Sequence, residues 1–264
     1  MAVGKLIAVG GGNIAEQDVV LDEIFRSVAK RKDVRFVLMT IATSLVEGAY
    51  EKYNAVFRKR NISHVELVDV SARADAFDAE SVKKVEGADI LFFTGGRQLK
   101  ITSWFGGSPL HEAVQRCLRR NCIIAGNSAG ASMMSRSMIV GGSGRCAPKA
   151  GCVQLGPGLD LIERSVIDVH FSERGRHGRL ISAIAHDPDN LGIGIDVDTA
   201  LVVEKNAFRV IGDGAVTVFD ASDTLYIDLV ERVANESFAI FGLKTHILTD
   251  RCCFDLARRE PVGP

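Results

Sequence analysis

The chain has 264 residues, of which 47% are hydrophobic, and its 32 basic and 33 acidic residues leave a formal net charge of −1. This balance gives no basic field that would attract nucleic acid, and one tryptophan and three tyrosines offer few stacking platforms for single strands. No apolar run is long enough to cross a bilayer, and the first one is too short for a signal peptide. The six cysteines form no Cys-x-x-Cys pair, so we expect reduced thiols in a cytoplasmic protein rather than a disulfide or zinc framework.

The first segment is an apolar strand that runs into a glycine-rich loop. Lys5 to Val9 precede Gly10-Gly11-Gly12, and Asp18 to Lys30 then show helical spacing. The glycines and Ala15 formally match the dinucleotide-binding fingerprint, but that site needs an acidic residue at the end of the second strand. The second strand, Val34 to Ile41, ends without one. We therefore discount a nicotinamide cofactor and expect the glycines to allow a close approach to a ligand or to another part of the chain.

The next segments alternate between helices and strands. Apolar runs without period-two alternation are typical of parallel strands that are buried on both faces. The expected helices span 46–60, 79–85 and 109–120, and the expected strands span 65–70, 89–93 and 122–125. We therefore predict an α/β fold with a mostly parallel sheet and helices on both faces.

The strand that begins at Cys122 leads into Gly126-Asn127-Ser128-Ala129-Gly130, and helix-favouring residues follow. Gly-x-Ser-x-Gly between a strand and a helix is typical of a nucleophile elbow. The turn would present the Ser128 hydroxyl at the carboxyl edge of the sheet, where the N–H of Ala129 can face a developing oxyanion. The alternative is a glycine-rich turn with a solvent-facing serine, and the strand before and the helix after it favour the nucleophile.

The second half of the chain is predicted to become β-rich. Arg136 to Gly156 has no clear periodicity, so we expect a long loop at the rim of the active site. A strand is predicted over Val166 to Phe171 and a helix over Ser172 to Ala185. From Leu191 onward, short β-type runs predict antiparallel hairpins that extend the sheet. Because no repeat, low-complexity tract or Pro-rich linker divides the chain, we predict a single domain over residues 1–264.

A serine nucleophile needs a base, and histidine is the usual one. Of the six histidines, His170 alone falls at a strand end on the expected edge, so it is the candidate general base. Arg174, Arg176 and Arg179 follow within nine residues. They form either a solvated helix face or a carboxylate-binding cluster, and their position beside the candidate base favours the cluster.

Several segments together resemble the family of serine exopeptidases that contains the cyanophycinases and aspartyl dipeptidases. They run in family order over most of the chain. The matching segments are Phe93-Thr-Gly-Gly-Arg-Gln-Leu-Lys-Ile101, Ala125-Gly-Asn-Ser-Ala-Gly-Ala-Ser-Met-Met134, Gly156-Pro-Gly-Leu159, the stretch from Val166 to Leu180, and Gly192-Ile-Gly-Ile-Asp196 with Thr199-Ala200. The resemblance implies a flavodoxin-like α/β fold similar to class I glutamine amidotransferases, often as a homodimer, with no metal and no other cofactor.

The resemblance also implies a role for each matched side chain. Ser128 would be the nucleophile and His170 the base, and the N–H groups of Gly96 and Ala129 would form the oxyanion hole. The residues that would hold an aspartyl substrate are Gln98, Asp168, Arg174, Arg176 and Arg179. The family reaction is hydrolysis of cyanophycin, a poly-aspartate that carries arginine on each side chain, to β-aspartyl-arginine dipeptides.

The chain departs from the family pattern near the site. The family usually has Gly-Ile-Asp-Glu, whose glutamate orients the histidine, and here Val197 stands in place of that glutamate. Loss of an orienting acid can cost roughly 10⁴-fold in turnover. Asp196 or Asp198 could replace it, although strand alternation would point both away from the direction of Val197. The other departures are Arg97 for aspartate, Val169 for glutamine and Asn127 for threonine.

These departures leave alternative functions open. Within the enzyme hypothesis, Arg97 and Val197 suggest a substrate other than standard cyanophycin, one without a cationic side chain. In a second hypothesis, the chain is a catalytically weakened homologue that binds aspartyl peptides or pairs with an active paralogue. In a third, the loop from Gly10 to Gly12 binds a nucleotide.

Overall fold

The computed structural model describes residues 4–26, 28, 33–41, 43–60, 62, 64–145 and 147–263. Within this part of the chain the strands are β1 (Lys5–Val9), β2 (Phe36–Met39), β3 (Val65–Val68), β4 (Ile90–Phe93), β5 (Ile123–Asn127), β6 (Ser137–Gly142), β7 (Val153–Pro157), β8 (Ser165–Val169), β9 (Leu191–Ile195), β10 (Thr199–Glu204), β11 (Ala207–Gly212), β12 (Val216–Asp220), β13 (Tyr226–Ile227), β14 (Ile240–Phe241), β15 (Lys244–Leu248), β16 (Cys253–Asp255) and β17 (Glu260–Gly263). The α-helices are α1 (Asp18–Arg26), α2 (Val46–Arg58), α3 (Ala79–Gly87), α4 (Gln98–Lys100), α5 (Pro109–Arg119), α6 (Ala129–Ser132) and α7 (His177–His186). Short 3₁₀ turns lie at Ile14–Glu16, Arg73–Phe77 and Leu229–Glu231, and a π-helical turn lies at Ile101–Phe105.

Among the described residues, the main sheet has nine strands in the order β17-β16-β11-β10-β1-β5-β4-β2-β3. The five strands from β1 to β3 in that order are parallel. The C-terminal strands β10, β11, β16 and β17 extend the sheet beyond β1 as antiparallel neighbours. The predicted α/β class with a β-rich C-terminal portion is therefore confirmed.

Helices cover both faces of the parallel strands, and the side chains of β4 show how. Ile90 and Phe92 join the buried cluster on the side of α1 and α2, whereas Leu91 and Phe93 join the cluster on the side of α3 and α5. Successive residues of a strand point to opposite faces, so a strand that is covered on both faces needs an unbroken apolar run. That requirement explains the lack of alternation in this part of the sequence.

In the part of the chain that the structure describes, a second sheet has four strands in the order β15-β12-β9-β8, with β8 parallel to β9. The strand before the candidate base therefore lies outside the nine-stranded sheet. The backbone N–H of His170 donates to the oxygen of Gly10 at 2.7 Å. The carboxyl end of β8 is thereby held against the loop that follows β1, and the two sheets meet at the candidate site.

Two local predictions were wrong. The predicted loop from Arg136 to Gly156 is an antiparallel hairpin of β6 and β7, with Cys146 outside the described residues. Its glycines and a register shift between Ile139 and Gly141 break the alternation that would have revealed it. The helix predicted from Ser172 begins only at His177. His170 and Gly175 have positive φ angles of 47° and 59°, so the chain turns before the helix can start.

No helix in the described part of the chain is long and apolar enough to cross a membrane.

Candidate active site

Ser128 occupies a sharp turn between β5 and α6, with φ 55° and ψ −109°. A non-glycine residue in this region stores about 1–3 kcal/mol of strain. A Cβ at Gly126 would lie 2.2 Å from the oxygen of Gly130, and a Cβ at Gly130 would lie 2.5 Å from the oxygen of Phe93. Both positions therefore admit only glycine, and the turn has the geometry of a nucleophile elbow.

The candidate nucleophile and base are in hydrogen-bonding contact. The Oγ of Ser128 lies 3.0 Å from the Nε2 of His170. This is the distance over which a general base can take the serine proton. The two residues come from different sheets, and each has a positive φ angle. The arrangement is chemically suited to a serine nucleophile with a histidine base.

The glycine-rich loop after β1 packs against the ring of His170. A Cβ at Gly11 would lie 2.1 Å from Cε1 of that ring, and the φ of Gly11 is +130°. The sequence had indicated that a ligand or another part of the chain comes close to this loop, but it did not indicate which group. Gly11 is thus a site residue that sequence reasoning missed, and its signal was the run of three glycines.

The two candidate oxyanion donors lie in segments beside the serine. Ala129 is the first residue of α6, so its N–H belongs to the first turn of a helix. Gly96 follows β4 with φ +147°. A Cβ at the neighbouring Gly95 would lie 3.4 Å from the Cβ of Ser128. The loop that carries Gly96 therefore runs alongside the candidate nucleophile.

The environment of His170 keeps its imidazole neutral. Burial, followed by the positive charges of Arg174 and Arg176, lowers the pKa of His170 from 6.5 to about 4, and the carboxylate of Asp168 opposes this shift. At neutral pH the ring is therefore uncharged. A neutral imidazole is the form that accepts a proton.

Asp168 and Arg179 form a buried pair. Asp168 is 1% exposed and Arg179 is 6% exposed. The Nε of Arg179 donates to one carboxylate oxygen at 2.6 Å, and a second guanidinium nitrogen donates to the other. Arg176 adds a hydrogen bond to Asp168 at 3.2 Å and another to the oxygen of Val169. Arg174 remains exposed on the turn before α7. The arginine cluster therefore has a buried part and an exposed part.

Gln98 lies at the start of α4. Its Nε2 donates to the Oγ of Ser132 at 3.3 Å, which ties α4 to α6. Arg97 precedes it and is exposed. Because β4 and β5 are parallel neighbours, the loop after β4 brings Arg97 and Gln98 to the edge where Ser128 follows β5.

The region of Val197 contains several engaged carboxylates. Asp196 accepts hydrogen bonds from the N–H of Ser172 at 2.9 Å and of Ala215 at 3.2 Å. Asp198 accepts one from the Nε2 of Gln17 at 2.7 Å. The N–H of Val197 donates to Oε1 of Glu173 at 3.1 Å. This contact was missed by sequence reasoning, because nothing in the spacing links Glu173 to the turn after β9. In the described part of the chain, no group of three His, Cys, Asp or Glu side chains is arranged to hold a metal ion.

Comparison with known proteins gives a family match. Residues 6–211 match the model of peptidase family S51. The chain is 32% identical to the cyanophycinase of Synechococcus elongatus over 262 residues, which cover 97% of this chain and 80% of the relative. It is 33% identical to the cyanophycinase of Nostoc sp. over 262 residues, which cover 96% of this chain and 86% of that one.

Solved structures share the fold. A peptidase from an acI-B1 Actinobacterium matches with a TM-score of 0.69 and 23% identity, covering 96% of this chain and 97% of the other. A putative peptidase E from Listeria monocytogenes EGD-e matches with a TM-score of 0.53 and 13% identity, covering 81% of this chain and 100% of the other. At these identities the two matches bear on the fold alone.

Proposed function

The chain belongs to peptidase family S51, a family of serine-type exopeptidases, and on this basis we propose that it hydrolyses cyanophycin or a related β-aspartyl peptide to dipeptides. The observation that carries the proposal is the 3.0 Å contact between Ser128 Oγ and His170 Nε2 at a strained elbow. The relatives called cyanophycinase supply the substrate class.

In the proposed reaction, Ser128 Oγ attacks the carbonyl carbon of the scissile bond while His170 Nε2 takes its proton. The N–H groups of Gly96 and Ala129 bind the oxyanion of the tetrahedral intermediate. His170 then gives the proton to the leaving amine, and the C–N bond breaks. A water molecule, deprotonated by His170, releases the acyl group from Ser128 by the same two steps. Removing one oxyanion donor in such a site typically costs about 10²–10³ in kcat.

We propose that the arginine cluster and Gln98 hold the aspartyl carboxylate of the substrate. Exposed Arg174 and partly exposed Arg176 are placed to contact it, since guanidinium groups match carboxylates in shape and charge. Asp168 and Arg179 contribute from beneath, because the buried pair fixes the guanidinium of Arg176. Gln98 completes the set from the start of α4.

The side chain that the substrate carries is a separate proposal. Arg97 is an exposed cation at the site where the family has an aspartate, and Val197 replaces a glutamate. A site that has lost two acids and gained a cation should disfavour arginine on the substrate. Parallel assays of arginine-bearing and neutral β-aspartyl dipeptides should favour the neutral ones. A clear preference for the arginine-bearing dipeptide would contradict this.

The experiment that tests the proposed activity is the substitution Ser128→Ala. We expect it to abolish release of dipeptides, because in the proposed reaction the Ser128 hydroxyl forms the acyl intermediate. A matched control is Ser222→Ala, which changes an exposed serine that follows β12 at the far end of the second sheet. Unchanged turnover in Ser128→Ala would remove the proposal.

A second candidate function is favoured by Val197 alone. In it, the chain binds aspartyl peptides with little turnover or pairs with a paralogue that retains the glutamate. Co-purification with such a paralogue, together with a silent wild-type chain that Val197→Glu activates, would support it. Full activity of the isolated wild-type chain would end it.

Two properties of the whole protein are also proposals. We propose that the protein is a homodimer, on the basis of the family resemblance. We also propose that it is cytoplasmic, because its cysteines are free where the structure describes them. Light scattering of the purified chain tests the dimer by its mass. Fractionation of the source cells tests the compartment.

A further inference from the structure

His170 lies on a short turn between β8 and α7 whose successive residues are held by hydrogen bonds. The N–H of His170 donates to the oxygen of Gly10 at 2.7 Å, and its own oxygen accepts from the N–H of Arg174 at 3.2 Å. The N–H of Phe171 donates to the oxygen of Ile195 at 3.2 Å. The first half of the turn is therefore held by backbone contacts to the loop after β1 and to the end of β9.

The second half of the turn is held by two carboxylates. Asp196 reaches back from the end of β9 and accepts from the N–H of Ser172 at 2.9 Å. Glu173 reaches in the opposite direction, and its Oε1 accepts from the N–H of Val197 at 3.1 Å. The two hydrogen bonds join the same two segments, and each segment supplies one carboxylate and one N–H group. The turn that carries His170 is thus clamped to residues 196–197 from both sides.

Two other acids of this region are engaged elsewhere. Four acidic side chains lie on β8, on this turn and on the turn after β9, namely Asp168, Glu173, Asp196 and Asp198. Asp168 pairs with buried Arg179, and Asp198 binds Gln17. Glu173 is the one that carries a hydrogen bond from the turn of the histidine to position 197.

The charges that face His170 indicate how Glu173 acts. Arg174 and Arg176 disfavour the imidazolium, and Asp168 is the acid that favours it. The hydrogen bond of Glu173 goes to the backbone N–H of Val197 and not to the ring. Its contribution through that bond is therefore geometric, and an uncharged side chain with the same acceptor oxygen should serve as well.

We propose that Glu173 is a positioning residue that holds the turn of His170 against Val197, in a chain that lacks an orienting glutamate at position 197. The inference rests on the proposed function, because it concerns the same serine and histidine. It assigns to this chain a different way of fixing its base. The acid acts on the backbone that carries the histidine, whereas an orienting triad acid acts on the ring.

The test uses two substitutions that separate the hydrogen bond from the charge. Glu173→Gln keeps an acceptor oxygen at the same reach, and Glu173→Ala removes it. Glu163→Ala is the matched control, since Glu163 is exposed just before the opposite end of β8. Each full-length variant is assayed for kcat and KM, for its pH profile, and for the rate at which a fluorophosphonate probe labels Ser128.

We expect Glu173→Ala to lower both kcat and the labelling rate by about tenfold, as loss of one hydrogen bond would. KM and the acid limb of the pH profile should stay in place. Glu173→Gln should remain within about threefold of wild type, and Glu163→Ala should equal it. Because Glu173 is exposed, the temperature of unfolding should not change.

Two results would overturn the inference alone, provided that the wild type is labelled normally at Ser128. One is a Glu173→Ala variant that reacts as fast as wild type. The other is a Glu173→Gln variant that falls as far as Glu173→Ala, which would mean that the charge acts. A wild type that neither labels nor hydrolyses β-aspartyl peptides would instead overturn the proposed function, and this inference with it.

Discussion

At the scale of single residues, the candidate site depends on three positive φ angles: Ser128 at 55°, His170 at 47° and Gly11 at 130°. The first two residues could be singled out from the sequence, since an elbow motif and a histidine at a strand end are local signals. The contact between Gly11 and the imidazole could not, because it joins two segments that are far apart in the chain. The residue roles themselves stay predictions.

The first prediction concerns pH. Because burial, Arg174 and Arg176 lower the pKa of His170 to about 4, the base is neutral above that pH. We expect kcat/KM to rise as pH increases through about 4 and then to stay level up to neutrality. Arg174→Gln removes one of the cations, so its acid limb should move to higher pH.

The control for this experiment is Arg164→Gln, which changes an exposed arginine that precedes β8, whereas His170 follows the other end of that strand. NMR titration of the imidazole follows the same group without substrate, which matters because Arg174 is also proposed to bind the substrate. A wild-type acid limb near the ordinary histidine value of 6.5 would contradict the assignment of His170 as a buried neutral base.

The second prediction concerns Gly11→Ala. The new Cβ would lie 2.1 Å from the imidazole at a φ of +130°, so the ring has to move away from Ser128. We expect kcat/KM to fall by more than about 10²-fold, a size of loss typical of a misplaced catalytic group. Strain at the backbone should also cost about 1–3 kcal/mol in the free energy of unfolding.

Gly48→Ala is the matched control for that substitution. Gly48 lies inside α2, where an added Cβ meets nothing within 4 Å. The change should leave activity unaltered and should stabilise the fold by about 0.5–1 kcal/mol. If Gly11→Ala retained full activity, the loop after β1 would have no part in holding His170.

At the scale of elements, the site depends on how β8 meets α7. Asp168 on β8 and Arg179 in the first turn of α7 are buried together, and this pair ties the strand to the helix. The helix was predicted to start at Ser172, and it starts at His177 because the intervening turn closes on His170. Helix propensity depends on local sequence, so it cannot predict that a neighbouring segment binds the turn.

The third prediction follows from the buried pair. Asp168→Ala leaves the guanidinium of Arg179 without its carboxylate in a site that is 6% exposed. Breaking such a pair typically costs about 3–5 kcal/mol, and we expect a loss of that size in urea unfolding. The exposed pair of Arg164 and Asp189 is the comparison. Arg164→Ala should cost at most about 1 kcal/mol. Equal losses in the two variants would contradict the role of the buried pair.

At the scale of the whole molecule, the sequence predicted the class of fold but not its arrangement. Unbroken apolar runs indicated buried parallel strands, and five parallel strands form one side of the main sheet. The placement of β8 and β9 in a second sheet could not be predicted, because strand pairing depends on contacts between distant segments. The prediction that residues 1–264 form a single domain remains a prediction.

The most direct test of the whole account is dipeptide release from purified cyanophycin and from neutral β-aspartyl peptides by the isolated chain and by Ser128→Ala. We expect the wild type to release dipeptides from at least one of these substrates. We expect Ser128→Ala to release none while it unfolds at the same temperature as Ser222→Ala. Equal release by wild type and Ser128→Ala, or no release by the wild type from any of these substrates, would contradict it.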